Sequence, residues 1–564
     1  MERLLLFART VSYLRPGQVF AQVLKRVRLS SRVPPVRSVR RRLGVNIGPS
    51  PSLCAPASGD FSFCFLNRTV TFPPSSVDWA SPDLPKLWRY NLHYFDYLAD
   101  PARSDEAKCR LIADWIAKNP LGVGDGWEPY PVSLRVVNWI KFFLRREKPP
   151  EMAWLQSLWT QAAWLERHVE YHLLANHVFK NAVALVFAGA YFDGPDGDRW
   201  LRQGWALLRQ ELAEQFLSDG GHYERSPMYH SICLLDCLDV VNLLERSGTP
   251  VVQEDVVRLK DKARAALEYL YDLCLPDGNI ALFNDSAFGI APSPQQIFQY
   301  ANALLGYEPP ARAQGLELRA YPDSGYFIVA NGNDRLVIDG GLIGPDYQPG
   351  HAHCDTLSYE LAIDGRRVIV DSGVYDYEAS PERAYARSTR AHNTVMVDGV
   401  EQSEIWGVFR VARRAKPIRA SLHRGEDGRV IFEGAHDGYR RLPGKPVHSR
   451  TITYAEGGEW IIEDRLAGKR EHRMETYVHV HPDFRVIGED RRLKLVGTDG
   501  RVVAVVEPLT PCDVRLDRGW YFPQFGLRYE NPVLVFARSQ AAPFAVGYRI
   551  KKVPMPSTRM SHRD

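Results

Sequence analysis

Apolar residues recur every three or four positions from about residue 87 to about 310, and every second position from about 316 onward. The first regime runs through "EAKCRLIADWIAKN", "SLRVVNWIKFFLRR", "EMAWLQSLWTQAAWLERHVEY", "DRWLRQGWALLRQELAEQFL" and "VVRLKDKARAALEYLYDLCL", punctuated by turn clusters such as "GPDGD" and "LPDGN". That spacing gives each segment one apolar stripe, and six or more such helices in antiparallel hairpins predict an all-α domain, a bundle or an α/α toroid. The second regime runs through "GYFIVANGNDRLVIDGG", "LSYELAIDGRRVIVDSG", "RTITYAEGGEWIIEDRL" and "RLKLVGTDGRVVAVVEP". Each is a strand–turn–strand unit on an Asn-Gly, Asp-Gly or Gly-Gly turn, and together they predict a large antiparallel β-sandwich. Residues 31–86 are rich in Pro, Ser and Arg, with β-like pieces such as "DFSFCFLNRTVTF", and read as an extended arm. The expected organisation is an α+β multidomain chain: a basic N-terminal helix and arm over 1–86, an α/α toroid over 87–312, and the sandwich over 313–555.

The bulk numbers narrow the function classes. A length of 564 residues predicts two or three domains, and 45% hydrophobic with 24% charged residues is a globular composition. A net charge of +4 is small for this size and excludes nucleic acid as the main partner, while allowing a polyanionic substrate in a locally basic cleft. The 13 Trp and 26 Tyr are mostly core, but such rings also stack on the apolar faces of sugars. The eight cysteines show no framework spacing, so no oxidising compartment is required. "MERLLLFARTVSYLRPGQVFAQVLKRVRLSSR" starts like a signal peptide, but Arg9 interrupts its apolar run and no small-residue cleavage site follows. It reads as a basic amphipathic helix that docks on the protein body or touches a membrane surface. With no run long enough to span a bilayer, the expectation is a cytoplasmic or periplasmic protein without a transmembrane segment.

Several stretches concentrate polar residues that ordinary packing explains poorly. In "YHLLANHVFKNAVAL", Asn176 and His177 fall in the middle of a helical pattern, where Asn competes with the backbone unless its side chain is engaged. In "DGGHYERSPMYHS", Ser226 and Pro227 open a helix and put Tyr229 in its first turn, followed by His230. In "QPGHAHCDTLSYELAIDGRRVIVDSGVYDYE", His351 and His353 are two apart, so on a strand they share a face, and Asp371 returns on the partner strand. His392 opens a further strand in "STRAHNTVMVDG". His353, Asp371 and His392 would make a two-His, one-carboxylate set of the kind zinc accepts, or they are polar residues that share a sheet face. "GWEPYPVSLRVVNWIKF" offers Trp127, Tyr130, Arg135 and Asn138 at a loop-to-helix entry. That combination suits a sugar bearing an acid group, or it is helix packing around an internal Arg135.

The motifs "NLHYFDYL", "GWEPYPVSLRVVNW", "LLANHVFKNAVAL", "DGGHYERSPMYH", "GHAHCDTLSYEL" and "RAHNTVMVDG", in this order, resemble the heparinase II/III-like family of polysaccharide lyases from about residue 85 to 550. The resemblance implies an α/α toroid followed by an antiparallel sandwich, and β-elimination beside a uronic acid in a polysaccharide. It implies that Asn176, with His177, neutralises the uronate carboxylate, that Tyr229 serves as acid and for some substrates as base, and that His351 is or assists the base. Trp127, Tyr130, Arg135, Asn138, Glu224 and His230 would bind substrate. His353, Asp371 and His392 match a structural Zn²⁺ site. Ser-Pro-x-Tyr-His is the family's pattern, which favours Tyr229 over Tyr223, and Lys180 stands where some relatives carry glutamate. Two rival readings stay open. One is a glycoside hydrolase using two of Asp219, Glu224, Asp277 and Asp285; the other is a polysaccharide-binding or exopolysaccharide-assembly protein on the same scaffold.

Overall fold

A computed structural model describes residues 2–27, 33, 35–36, 39–51, 59–74, 76–488 and 491–554. The parts of the expected arm at 28–32 and 52–58, with Cys54, lie outside the described residues, as does residue 555. Two N-terminal helices, α1 (Glu2–Val11) and α2 (Pro16–Val27), precede nine helices of the helical region. These are α3 (Lys86–Tyr94), α4 (Asp105–Lys118), α5 (Pro129–Arg145), α6 (Met152–Arg167), α7 (Ala175–Tyr191), α8 (Pro195–Gln215), α9 (Pro227–Ser247), α10 (Gln253–Leu273) and α11 (Pro294–Leu305). They form the helical toroid, and antiparallel sheets follow from Leu316 onward.

Helix α7 is buried on nearly every side, because its sequence is apolar all round rather than on one stripe. Its neighbour α8 comes so close that a Cβ on Gly189 would meet the Leu201 backbone nitrogen at 2.3 Å, and one on Gly204 the Val186 nitrogen at 2.7 Å. The β region holds sheets of eight, four and five strands, all antiparallel. The predicted hairpins are present, two of them with a register shift, at Leu361/Ala362 and at Leu495/Val496, and the Asp364-Gly365 turn joins Tyr359–Ile363 to Arg366–Ile369 with both turn residues at positive φ (51° and 82°). A contiguous apolar core fills the space between the sheets and includes Trp460, Phe536 and Tyr548.

The N-terminal helices lie across both regions. Arg9 pairs with Glu404 at 2.9 Å, Trp406 donates to Thr10, Arg15 pairs with Glu214, and Gln18 donates to the Tyr347 carbonyl. Their outer faces leave Leu4, Leu5, Phe7, Val19, Phe20 and Val23 exposed. No helix among the described residues is long and apolar enough to cross a membrane.

Candidate active site

A cleft of about 600 Å³ opens between α3 and the N-terminal ends of α5, α7 and α9 on one side and the loops of the β region on the other. Asn176, His177, Tyr229 and His351 all line it. Asn176 does not sit in mid-helix as the periodicity predicts. Leu174 and Ala175 take positive φ (64° and 55°) and restart the chain, so Asn176 falls in the first turn of α7 with its backbone N–H unclaimed by the helix. Buried Glu224 takes that N–H at 2.9 Å and the Asn176 amide Nδ2 at 3.0 Å. Tyr229 enters as expected: Ser226 caps α9 by accepting from the Tyr229 N–H at 3.2 Å, with Pro227 at the first helical position.

His351 and His353 are not on a strand; they lie in the loop before Tyr359–Ile363. They converge because both donate to Asp285, His351 through Nδ1 at 2.9 Å and His353 through Nε2 at 2.8 Å. The Arg383 guanidinium clasps the same carboxylate. Burial pushes the Asp285 carboxyl up, but Arg383 and the two histidine hydrogen bonds outweigh it and hold the group well below the usual carboxylate range. The His351 ring stacks on Tyr229 at 3.8 Å between centroids, with its Nε2 3.5 Å from Asn176 Nδ2 and 3.4 Å from Glu224 Oε2. Tyr229 and Tyr377 hydroxyls are 3.2 Å apart, and burial, then Tyr377, raises the Tyr229 phenol well above its ordinary value. His177 opens to the cleft and pairs with Glu170 at 3.1 Å. Burial lowers its pKa, but the Glu170 charge and hydrogen bond prevail and raise it.

Behind His351, the ligand atoms of His353, Asp355 and His392 lie within 4.8 Å of one another, all buried. His353 Nδ1, Asp355 Oδ1 and His392 Nε2 each have no hydrogen-bond partner. Three orphaned acceptor atoms converging in a dry interior are costly unless a cation joins them, so the donor set fits a metal ion. Asp371, the carboxylate expected in this trio, instead accepts from His392 Nδ1 at 2.8 Å and orients the ring from behind. The nearer carboxylate, Asp355, follows His353 by two residues in "GHAHCD".

The remaining candidates divide sharply. Tyr130 lines the cleft, its ring 4.7 Å from that of His177. Arg135 is fully buried, bonded to Gln161 and to the His93 and Gly126 carbonyls and stacked on Trp115, so it packs helices and meets no substrate anion. Trp127 is buried against Trp115 and Trp164, and Asn138 bonds Asp96 and the Tyr94 carbonyl below the cleft. His230 points the other way, to the Ala266 carbonyl. Glu224 acts on Asn176 rather than lining the cleft. Unmarked in the sequence were Tyr377, which closes the stretch carrying His351 and Asp371, and Arg383 and Glu170, whose stretches carry no distinctive pattern.

Residues 87–304 match the heparinase II/III N-terminus family and residues 313–549 the heparinase II/III-like C-terminal family. The chain belongs to the heparinase II/III family. Among curated relatives of this heparinase II/III-like chain, the heparin-sulfate lyase of Pedobacter heparinus is 28% identical over 398 residues, and that of Bacteroides stercoris 21% identical over 411. These matches cover 66% and 64% of this chain, which spans only 57% of the length of either relative. The crystal structure of a heparinase III superposes with a TM-score of 0.68 at 18% identity, covering 85% of this chain and 79% of that one. This likeness is one of fold.

Proposed function

We propose that this chain is a polysaccharide lyase that cleaves a uronic-acid-containing polymer by β-elimination, leaving an unsaturated uronate at the new end. The reading rests above all on the stacked Tyr229–His351 pair facing Asn176 and His177 in one cleft. The Asn176 amide and His177, whose charged form Glu170 favours, would bind the uronate carboxylate and draw charge from the adjacent carbon, acidifying its proton. With Nδ1–H held by Asp285, His351 presents the Nε2 lone pair and would take that proton. The resulting imidazolium would lie between Asp285 and Glu224. Tyr229, kept protonated by burial, would deliver its proton to the departing glycosidic oxygen, and the C–O bond breaks as the double bond forms. His353, Asp355 and His392 would hold a Zn²⁺ ion, which ties the His351 loop to the segment carrying His392.

A hydrolase needs two carboxylates facing each other across the cleft. Of the four carboxylates offered for that role by the sequence, Asp285 is clasped by two histidines and Arg383, Asp277 by Arg367 at 2.7 Å, Glu224 holds Asn176 and Asp219 holds Ser324. The decisive assay follows ultraviolet absorbance of the unsaturated product with a panel of uronate polymers, with Tyr229→Phe as control. Growth of signal, abolished in the variant, supports elimination; new reducing ends without absorbance would replace it by hydrolysis.

The N-terminal helices would contact an anionic membrane surface. Six large apolar side chains face outward from α1 and α2. Of the five basic residues in this segment, Arg9 and Arg15 are held by Glu404 and Glu214, while Arg3, Lys25 and Arg26 have no carboxylate partner among the described residues and would serve the surface. Co-sedimentation with phosphatidylglycerol-containing vesicles, lost in Phe7→Ser/Phe20→Ser, is the expected result; no binding to such vesicles overturns the contact.

A further inference from the structure

The two sides of the cleft are joined at both of its ends. Along one side the contacts run in order from Gln348 to His351, Tyr229, Tyr377 and Phe525. His351 stacks on Tyr229 at 3.8 Å, the Tyr229 and Tyr377 hydroxyls are 3.2 Å apart, and the Tyr377 and Phe525 rings are 5.0 Å apart. Along the other side they run from Leu173 to His177, then through Tyr130 and Tyr94 to Tyr90, with ring spacings of 4.7, 6.1 and 6.2 Å. At the end nearest the reacting centre, Gln348 Nε2 donates to the Leu173 carbonyl at 3.3 Å, so the sides meet three residues short of His351. Buried Gln18 of α2 backs this joint, donating to the same carbonyl at 3.5 Å and to that of Tyr347 at 3.3 Å.

The opposite end is crossed by a hairpin of the arm, β1 (Ser62–Phe65) and β2 (Arg68–Thr71), which supplies Ser62 through Leu66 to the lining. On the helical side the Trp88 indole donates to the Arg68 carbonyl at 2.9 Å, and Phe65 packs edge-on against that ring. On the β side Asn67 Nδ2 donates to the Gln524 side chain at 3.0 Å and to the Phe525 carbonyl at 2.9 Å. The turn residues Leu66 and Asn67 both have positive φ (52° and 59°), a conformation a leucine keeps only where its surroundings enforce it. Gly526 makes room for that turn, since a Cβ there would meet the Leu66 carbonyl oxygen at 2.6 Å. The hairpin and α2 both lie outside residues 87–304 and 313–549, so membership of the family carries no expectation for either. A polymer threaded along the cleft would have to break one joint or the other. The volume of about 600 Å³ belongs with pockets for small ligands, roughly 300–1,000 Å³.

We infer that this chain acts on polymer ends rather than within the polymer. A chain end enters over the rim at exposed Lys86 and Cys64, and the Leu173–Gln348 joint stops it just past the reacting centre. The hairpin tip at Leu66 and Asn67 bars passage at the other end. This deepens the lyase reading and rests on it. The full chain digests the polymer it cleaves in the ultraviolet assay, and the products are sized from the earliest time points. The expected result is one short unsaturated oligosaccharide from the start, with the remaining polymer keeping its length. An early ladder of intermediate sizes overturns the inference and leaves the lyase reading standing. Absence of unsaturated product from every polymer overturns the two together. Binding is read separately with the Tyr229→Phe protein, by calorimetry on two length fractions of the same polymer. The number of protein molecules bound per chain is expected to be the same for both fractions; a number that grows in proportion to length overturns the inference. Leu66→Gly/Asn67→Gly keeps the turn's backbone and removes both side chains from the hairpin tip. This variant, checked for an unchanged thermal midpoint, is expected to lose the single-product pattern and release intermediate sizes. A single product retained by it overturns the role given to the hairpin.

Discussion

Asp285 accepts from His351 through one oxygen and from His353 through the other, so a single carboxylate sets the tautomers of the proposed base and of a histidine of the candidate metal trio. Asp285→Asn removes an acceptor from at least one ring and puts an N–H donor in its place. The expected outcome is a fall in kcat of about 10²-fold or more with little change in KM, read by steady-state kinetics. Glu170 acts at the same scale on His177. Burial disfavours the His177 cation and Glu170 restores it, so Glu170→Gln lowers the His177 pKa. KM for a uronate polymer then rises as pH increases through a lower value than in the native protein, which a KM–pH profile checks. At this scale the sequence was partly legible. Asn176, His177, Tyr229 and His351 carry recognisable motifs, whereas Asp285 stands in "FNDSAFG", where nothing distinguishes a helix-end carboxylate from one that orients two histidines.

The elements place these residues through their ends. Ser226 caps α9 and also donates to the Asp285 carbonyl at 2.6 Å and touches Ser286 at 3.0 Å, so the start of the tyrosine helix is tied to the segment that orients His351. Ser226→Ala is expected to cost about 1–2 kcal/mol of stability. It should also reduce kcat through both Tyr229 and Asp285, measured by denaturant unfolding and turnover on one preparation. The helical and strand regimes, the Asp-Gly hairpin and the Ser-Pro helix start were all readable, because each rests on local periodicity or turn chemistry. The restart of α7 at Leu174 and Ala175 was not. Their positive φ values have no Gly or Asn to announce them, and it is the docking of Glu224 that uses the N–H they expose.

Across the whole molecule, a buried polar chain runs through the sandwich. The Gly438 N–H donates to His436 Nδ1, His436 Nε2 to His448 Nδ1 at 3.0 Å, and His448 Nε2 to Asp464, which Arg450 also holds at 2.7 Å. This order needs both imidazoles neutral, and burial depresses the pKa of each. In the unfolded chain they titrate near ~6.5, so unfolding takes up protons below that value. Stability from these groups is full above about pH 6.5 and is lost as pH falls. Urea unfolding at a series of pH values should show this decline, and His436→Gln should flatten part of it. The proposed Zn²⁺ site is tested at the same scale: chelation should lower the thermal midpoint and release the His351 loop, and added Zn²⁺ should restore both midpoint and activity.

By itself the sequence determined the two-part architecture, since apolar period and turn residues are properties of neighbours along the chain. It also marked the four cleft residues, whose motifs are local. Only the tertiary structure decided that Arg135, Trp127 and His230 belong to packing, that Asn138 turns to Asp96 below the cleft, and that Asp355 rather than Asp371 faces the two histidines. Those outcomes depend on burial and on partners tens to hundreds of residues away, and local pattern carries no record of either.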